Sequence, residues 1–229
     1  MEYLSNGYTL DIPSGAFPLS TDSILLSDFV HLPKKARVLD LGSGCGTLGI
    51  LLCAKDASCH VTGVELDENA HQAALANINR NALQNRISSI CADLRSISSD
   101  FAAGSFDYCI SNPPYFTGGP ASSTTPLARR DDCCNLEELF LVAGKMLKYG
   151  GDFALVHKPE RLAELCICAE KASLAPKRLC LIRHQPDAPV SLVLLSCRKG
   201  GKPGLVWEEK VLFHSDGTTT DYYRTLYHL

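Results

Sequence analysis

Two short stretches hold the residues whose types and spacing could do chemistry. In "CISNPPYF" two consecutive prolines, Pro113 and Pro114, stand between Asn112 and Tyr115, directly after the apolar run "FDYCIS". Proline fixes its own φ and restricts the residue before it, so Asn112 and Pro113 are held extended. The side-chain oxygen of Asn112 and the carbonyl of Pro113 then form two hydrogen-bond acceptors positioned before any ligand arrives. Tyr115 offers a ring on which a planar group can stack, and Phe116 offers a second wall. A rigid strand-ending turn with a core tyrosine would use the same residues without chemistry.

The second stretch is "VLDLGSGCGTLGI", with Gly42, Gly44 and Gly46 where a strand turns into a helix. Glycines let the backbone come close to a ligand, and a helix N-terminus offers unpaired N–H groups. Dinucleotide enzymes use a related turn, and tight strand-to-helix packing also calls for glycine. Asp40 lies two residues before Gly42. Glu65 ends the next apolar run, where a carboxylate can bind both hydroxyls of a ribose; a helix-start charge is its plain alternative. Asp93, ending the third run, could accept from the exocyclic amine of an adenine, and it equally suits a cap on "DLRS".

The elements that must position these residues alternate short apolar runs with helical patterns, the signature of βαβ units and a parallel sheet. The strands are "RVLDL" (37–41), "HVTGVE" (60–65), "ISSICAD" (87–93), "FDYCIS" (106–111) and "DFALVH" (152–157). Helices are expected over "TLGILLCAK", from Asp67 to Leu83, from Asn135 to the Gly150–Gly151 pair, and from Pro159 to about Lys171. "KRLCLIRH" and "VSLVLLSCRK" are joined only by "QPDAP", too short for a crossover helix, so these last two strands must be antiparallel. The expectation is an α/β fold with a seven-stranded, mostly parallel sheet, one antiparallel strand in a C-terminal hairpin, and helices on both faces. Residues 117–132, rich in Gly, Pro, Ser and Thr, read as a long loop, a length typical of lids and binding loops.

Composition limits the possible partners. A chain of 229 residues, 45% apolar, can bury one core without a metal or disulfide staple. Its eleven cysteines are odd in number and include no C-x-x-C pair, so they read as reduced thiols packed in the core, with no metal site. A net charge of −3 excludes an overall basic coat but leaves room for a local patch. With no apolar run of membrane-spanning length and no signal pattern, the expected location is cytoplasmic.

Asp40, the three glycines, Glu65 and Asp93 together resemble the S-adenosyl-L-methionine site of the Rossmann-like (class I) methyltransferases. An Asn-Pro-Pro-aromatic run after the fourth strand resembles that of members which methylate planar nitrogens. Over a longer span, "GAFPLSTDSILLSDFV", "SNPPYF", "ARRDDCCNLEELF" and "LVHKPERL" look like the bacterial tRNA adenine-N6 methyltransferases that modify the anticodon-adjacent adenine of a valine tRNA. The resemblance implies Asn112, Pro113, Pro114 and Tyr115 as the catalytic segment. It implies Thr21 and Asp22, with Asp40, Gly42, Gly44, Gly46, Glu65, Asp93 and Asn112, around the cofactor, and S-adenosyl-L-homocysteine as its product.

Tyr115, Phe116, Arg129 and Arg130 would meet an RNA substrate. Lys177, Arg178, Arg183, Arg198, Lys199 and Lys202 could contact phosphates or form a solvated surface. The expected organisation is one domain, 1–229: an extension over the cofactor site (1–36), a core (37–198) and a C-terminal extension (199–229), acting as a monomer away from membranes. The rival substrate is a protein glutamine amide, whose methyltransferases carry a helical substrate domain before the glycine turn, where this chain has only about 36 residues. Another nucleic acid, a small-molecule amine, or a non-catalytic RNA-binding module are further alternatives.

Overall fold

In the computed structural model, which describes residues 2–4, 7–12, 19–115 and 135–227, the alternation of apolar runs and helices becomes an eight-stranded sheet covered on both faces. A two-residue pair, β1 (Glu2–Tyr3) with β2 (Thr9–Leu10), precedes it. The main strands are β3 (Arg37–Leu41), β4 (His60–Glu65), β5 (Ile87–Cys91), β6 (Phe106–Ser111), β7 (Leu147–His157), β8 (Leu174–Arg183), β9 (Val190–Lys199) and β10 (Val206–Val211), in the order β10-β8-β9-β7-β6-β3-β4-β5. Only β9 runs against its neighbours, β7 and β8, in this sheet. The single reversed strand is therefore the one required by the short "QPDAP" connection.

The sheet has eight strands, not the seven expected. The additional one, β10, pairs parallel with β8 on the outer edge. Its Val206 and Trp207 are 73% and 63% exposed, and Glu208, Glu209 and Lys210 fill its middle, so no buried alternation marks it in the sequence.

Side chains along each strand alternate between two cores. Val38, Ile110, Val156, Ile182 and Leu194 pack beneath α1 (Thr21–Phe29), α2 (Thr47–Lys55) and α3 (Glu68–Arg80). Leu39, Leu41, Phe153, Leu155 and Val193 pack beneath α4 (Leu136–Met146) and α5 (Leu162–Lys171). Covering both faces explains the nearly continuous apolar runs. Seven of the nine cysteines among the described residues are buried as free thiols. A short last helix, α6 (Asp221–Tyr227), lies against α1 and β10. Among the described residues, no helix is long and apolar enough to cross a membrane.

The N-terminal segment is fastened to α3 by two asparagines one helical turn apart. Asn81 pairs with both backbone groups of Thr9, at 2.8 and 2.7 Å, and Asn77 does the same for Asp11, at 2.8 and 3.0 Å. Asn77 also donates to the carbonyl of Cys45 in the glycine turn, at 3.1 Å, and is fully buried. Each amide thus satisfies backbone groups that no sheet partner reaches.

Helix α4 opens with the expected capping box of Asn135 and Glu138 but ends at Met146, before the glycine pair. Leu147 already pairs with Phe106, while the next regular pair is Tyr108 with Asp152, so residues 148–151 bulge and Gly150, at φ +82°, turns the bulge. Helix α4 meets α5 at Gly144. Helix propensity alone would favour alanine there by about 1 kcal/mol. A Cβ, however, would stand 2.6 Å from the carbonyl oxygen of Ala172, and backbone cannot rotate aside. Gly144→Ala is expected to lower unfolding free energy by about 1–3 kcal/mol, read as a lower denaturant midpoint at unchanged slope. A midpoint at or above that of the wild type would contradict the close approach.

Candidate active site

The sheet reverses its winding between β3 and β6. From β3 the chain moves outward to β4 and β5, then returns to β6 on the other side of β3. Ligands of open α/β sheets bind in the crevice outside the strand ends at such a point. Asp40 pairs with Ile110, and the buried Ser111 donates its hydroxyl proton to the carbonyl of Leu41 at 2.7 Å. The glycine turn and the Asn112–Tyr115 segment therefore leave adjacent strand ends side by side.

The glycine turn has left-handed backbone at Gly42, Gly44 and Gly46, with φ of +74°, +54° and +81°. The carbonyl of Val64 accepts from the N–H groups of Gly42 and Ser43, at 2.9 and 3.0 Å. Glu65 accepts from Gly44 N–H at 2.7 Å with one carboxylate oxygen and from Asp67 N–H at 2.9 Å with the other. Among the described residues, a Cβ on Gly42 or Gly44 would meet nothing within 4 Å, so these residues leave open space facing the turn, and Gly46 begins α2 without a side-chain cap. Beyond Glu65, Leu66 is 47% exposed, an apolar surface beside the carboxylate that no sequence motif marks.

Two further acidic residues, Asp93 and Asp40, complete the candidate set. Asp93 caps the 3-10 turn Leu94–Ser99, accepting from Arg95 N–H at 2.9 Å, and both its oxygens accept from the Arg95 guanidinium. That pairing holds its carboxyl below the usual range and makes the cap its principal contact. Asp40 is 1% exposed and lies on the α1–α3 face rather than in open space. With Ser43 and Gly63 it lines a cavity of about 10 Å³, room for about one water molecule. Among the described residues, neither oxygen of Asp40, nor the hydroxyl of Ser43, has a hydrogen-bond partner. A side chain at Gly63 would overlap Ser43, its Cβ standing 2.7 Å from the hydroxyl oxygen.

The Asn112–Tyr115 segment meets the start of α1. Asn112 donates from its amide nitrogen to the hydroxyl of Ser23 at 3.0 Å. The phenol of Tyr115 stands 2.7 Å from Asp22 Oδ2 and 3.2 Å from Asn112 Oδ1, and its single proton goes to the nearer, charged acceptor. Burial first, then the Asp22 charge, raises the Tyr115 phenol well above its usual range. The ring packs edge-on to His157 at 5.2 Å, with Lys158 Nζ 5.2 Å from its centroid. Burial lowers the His157 pKa to about 4, helped by Arg161, so the imidazole is neutral at pH 7. Thr21 bonds to the hydroxyl of Tyr227 on α6 at 3.0 Å.

Tyr115 is thus folded against the protein rather than presented as a free ring. Asp22, His157 and Lys158 gather around it while Ser23 holds Asn112, and of these four only Asp22 is implied by the family resemblance. Phe116, Arg129 and Arg130 lie outside the described residues. Most of the basic groups considered for phosphate contact are elsewhere. Lys177, Arg198, Lys199 and Lys202 sit at the opposite edge, near the starts of β7 and β8, where Arg198 pairs with Asp152. Arg178 and Arg183 face Glu208 and Glu209.

Burial, with the Glu65 charge adding, pushes the Asp40 carboxyl up to about 8. A carboxyl whose folded pKa lies above its unfolded value stabilises fully below the unfolded value, and that contribution is lost as pH rises through the folded one. The ligand-free wild type should therefore lose stability relative to Asp40→Asn between about pH 4 and pH 8. Thermal unfolding across that range checks it; a pH-independent difference would contradict the buried, unpaired carboxylate.

With this geometry in place, comparison with known proteins narrows the family. Residues 20–167 match the model of the methyltransferase small domain. The tRNA1(Val) (adenine(37)-N6)-methyltransferase of Bacteroides fragilis is 32% identical over 183 residues, covering 79% of this chain and 77% of that protein. The protein of the same name from Tolumonas auensis is 31% identical over 207 residues, covering 89% and 85%. In fold, the chain is similar to a predicted O-methyltransferase from Agrobacterium tumefaciens, with a TM-score of 0.76 at 20% identity over 91% of this chain and 96% of that one. Geranyl diphosphate methyltransferase in complex with S-adenosylmethionine gives a TM-score of 0.58 at 12% identity, over 77% and 84%. Family model and relatives agree: the chain belongs to the methyltransferase small domain family, and it is an S-adenosylmethionine-dependent methyltransferase.

Proposed function

We propose that this enzyme methylates the exocyclic 6-amino group of an adenine in tRNA, with the anticodon-adjacent adenine as its target. The observation that carries the reading is the placement of Asn112, held by Ser23, beside the glycine turn at the point where the sheet reverses. The names of the relatives supply the substrate class.

The residues present fit S-adenosyl-L-methionine. The open backbone at Gly42 and Gly44, the uncapped start of α2 after Gly46, Glu65 and the exposed Leu66 would hold it. Asp93 would add an acceptor beyond its Arg95 contact, Thr21 and Asp22 would border its methionine end, and Asp40 would support the turn from beneath. When bound, this cofactor supplies an electrophilic methyl group on a sulfonium.

An adenine amine is a poor nucleophile because its lone pair is delocalised into the ring. Asn112 Oδ1 and the Pro113 carbonyl accept its two N–H bonds and favour a more tetrahedral nitrogen, which frees the lone pair. The Tyr115 proton is satisfied by Asp22 at 2.7 Å, so its longer contact at Asn112 Oδ1 yields to the substrate. Rate then comes from acceptors already in place rather than from a strong base. Residues 1–229 act as one catalytic unit in this reading, supported by the bonds from β2 to α3 and from α6 to α1.

The deciding experiment incubates the purified protein and labelled S-adenosylmethionine with tRNA lacking the modification, with rRNA, and with a protein extract. N6-methyladenosine in a tRNA is the expected product, and methylglutamine in protein would overturn the substrate. Asn112→Ala should lower kcat by about 10²–10³-fold with cofactor affinity unchanged; full activity would remove Asn112 from the mechanism. Glu65→Ala should instead raise the cofactor Kd by at least about tenfold, the loss of one charged hydrogen bond. Calorimetry showing equal affinity would end the ribose assignment.

A further inference from the structure

Among the described residues, one basic group at the catalytic edge faces no paired anion. Lys158 follows the last residue of β7, on the same edge as Asn112 and Tyr115. Its ammonium lies over the Tyr115 ring, and among the described residues no carboxylate pairs with it. The neighbouring Arg161 is paired with Glu164. Among the described residues, the other basic groups considered for RNA are at the far edge or paired with glutamates.

Cation and base would compete for the ring. An aromatic face attracts an ammonium weakly when the site is wet, and an incoming base offers a larger stacking surface. Once displaced, the ammonium needs a counter-charge, and a nucleotide brings one at a lysine stem's length from its own base. This role for Lys158 rests on the tRNA reading and deepens it.

We propose that Lys158 is a phosphate-binding residue for the target nucleotide, exchanging the Tyr115 ring for the phosphate as the base takes the ring face. Before substrate arrives it shields the ring; afterwards it holds the backbone of the same nucleotide. Its side chain is half-buried, so stem packing and charge can be separated by substitution.

The test measures Kd for an unmodified tRNA transcript between 50 and 200 mM salt, with S-adenosylhomocysteine present, for wild type, Lys158→Gln, Lys158→Met and Lys158→Arg. Losing one phosphate contact should make the log Kd against log salt line shallower by about 0.7–1 in Gln and Met. Arg should keep the wild-type slope. Met keeps an apolar stem against Tyr115, so the charge can still be tested should Gln disturb folding. In methyl transfer the same two variants should raise KM with little change in kcat. Parallel salt lines for all four proteins would overturn the phosphate contact while leaving the tRNA reading intact. Failure of the wild type to bind the transcript would overturn both.

Discussion

The site depends on the pairing of β3 with β6, two strands adjacent in space and separated in sequence by two intervening strands. Asp40 is level with Ile110, so Gly42 and Asn112 leave neighbouring strand ends at one height. From there the ladder cannot continue: Pro113 and Pro114 carry no N–H. The Ser111 hydroxyl, bonded to the Leu41 carbonyl, makes the last tie between the two strands. Past that tie both backbones are released from the sheet but fixed in direction, one by glycine and the other by proline. The glycine turn and the Asn-Pro-Pro-Tyr turn are thereby brought together without a helix between them.

Elements outside the alternating core complete the arrangement. Helix α1 places Asp22 and Ser23 against Tyr115 and Asn112, so the Asn112–Tyr115 segment rests on side chains rather than only on its prolines. The start of α1 is in turn bonded to Tyr227, and its far end lies under Arg178, whose guanidinium stands 4.4 Å from the Phe29 ring centroid. Asn77 links the N-terminal segment to Cys45 in the glycine turn. The Asn112–Tyr115 segment is therefore braced by a helix from outside residues 37–198, and the glycine turn shares Asn77 with the N-terminal segment.

What the sequence made legible was local. The glycine turn and the proline pair declare themselves because their physics lies within a few residues: positive φ, fixed φ, a strand just before. The reversal of β9 followed from a connection too short to cross the sheet. By contrast, Ser23 and Asp22 reach Asn112 and Tyr115 across 89 and 93 positions, and Asn77 reaches Asp11 across 66. Nothing in the local pattern announces such contacts. β10 escaped because an edge strand need not bury a face, and Asp93 takes up its cap because Arg95, two residues on, supplies an opposite charge at almost no loop cost.

The bond between Thr21 and Tyr227, across 206 positions, also bears on the order in which the molecule is made. Helix α1 leaves the ribosome early, yet its partners Tyr115, Arg178 and Tyr227 emerge in succession, the last of them in the final helix described. Domains assemble during synthesis as their segments appear, and long-range contacts close slowly. A nascent chain can thus build β3, β4 and the glycine turn while α1 still lacks its anchors. The support that α1 gives to Asn112 and Tyr115 is therefore completed only once α6 has joined the fold.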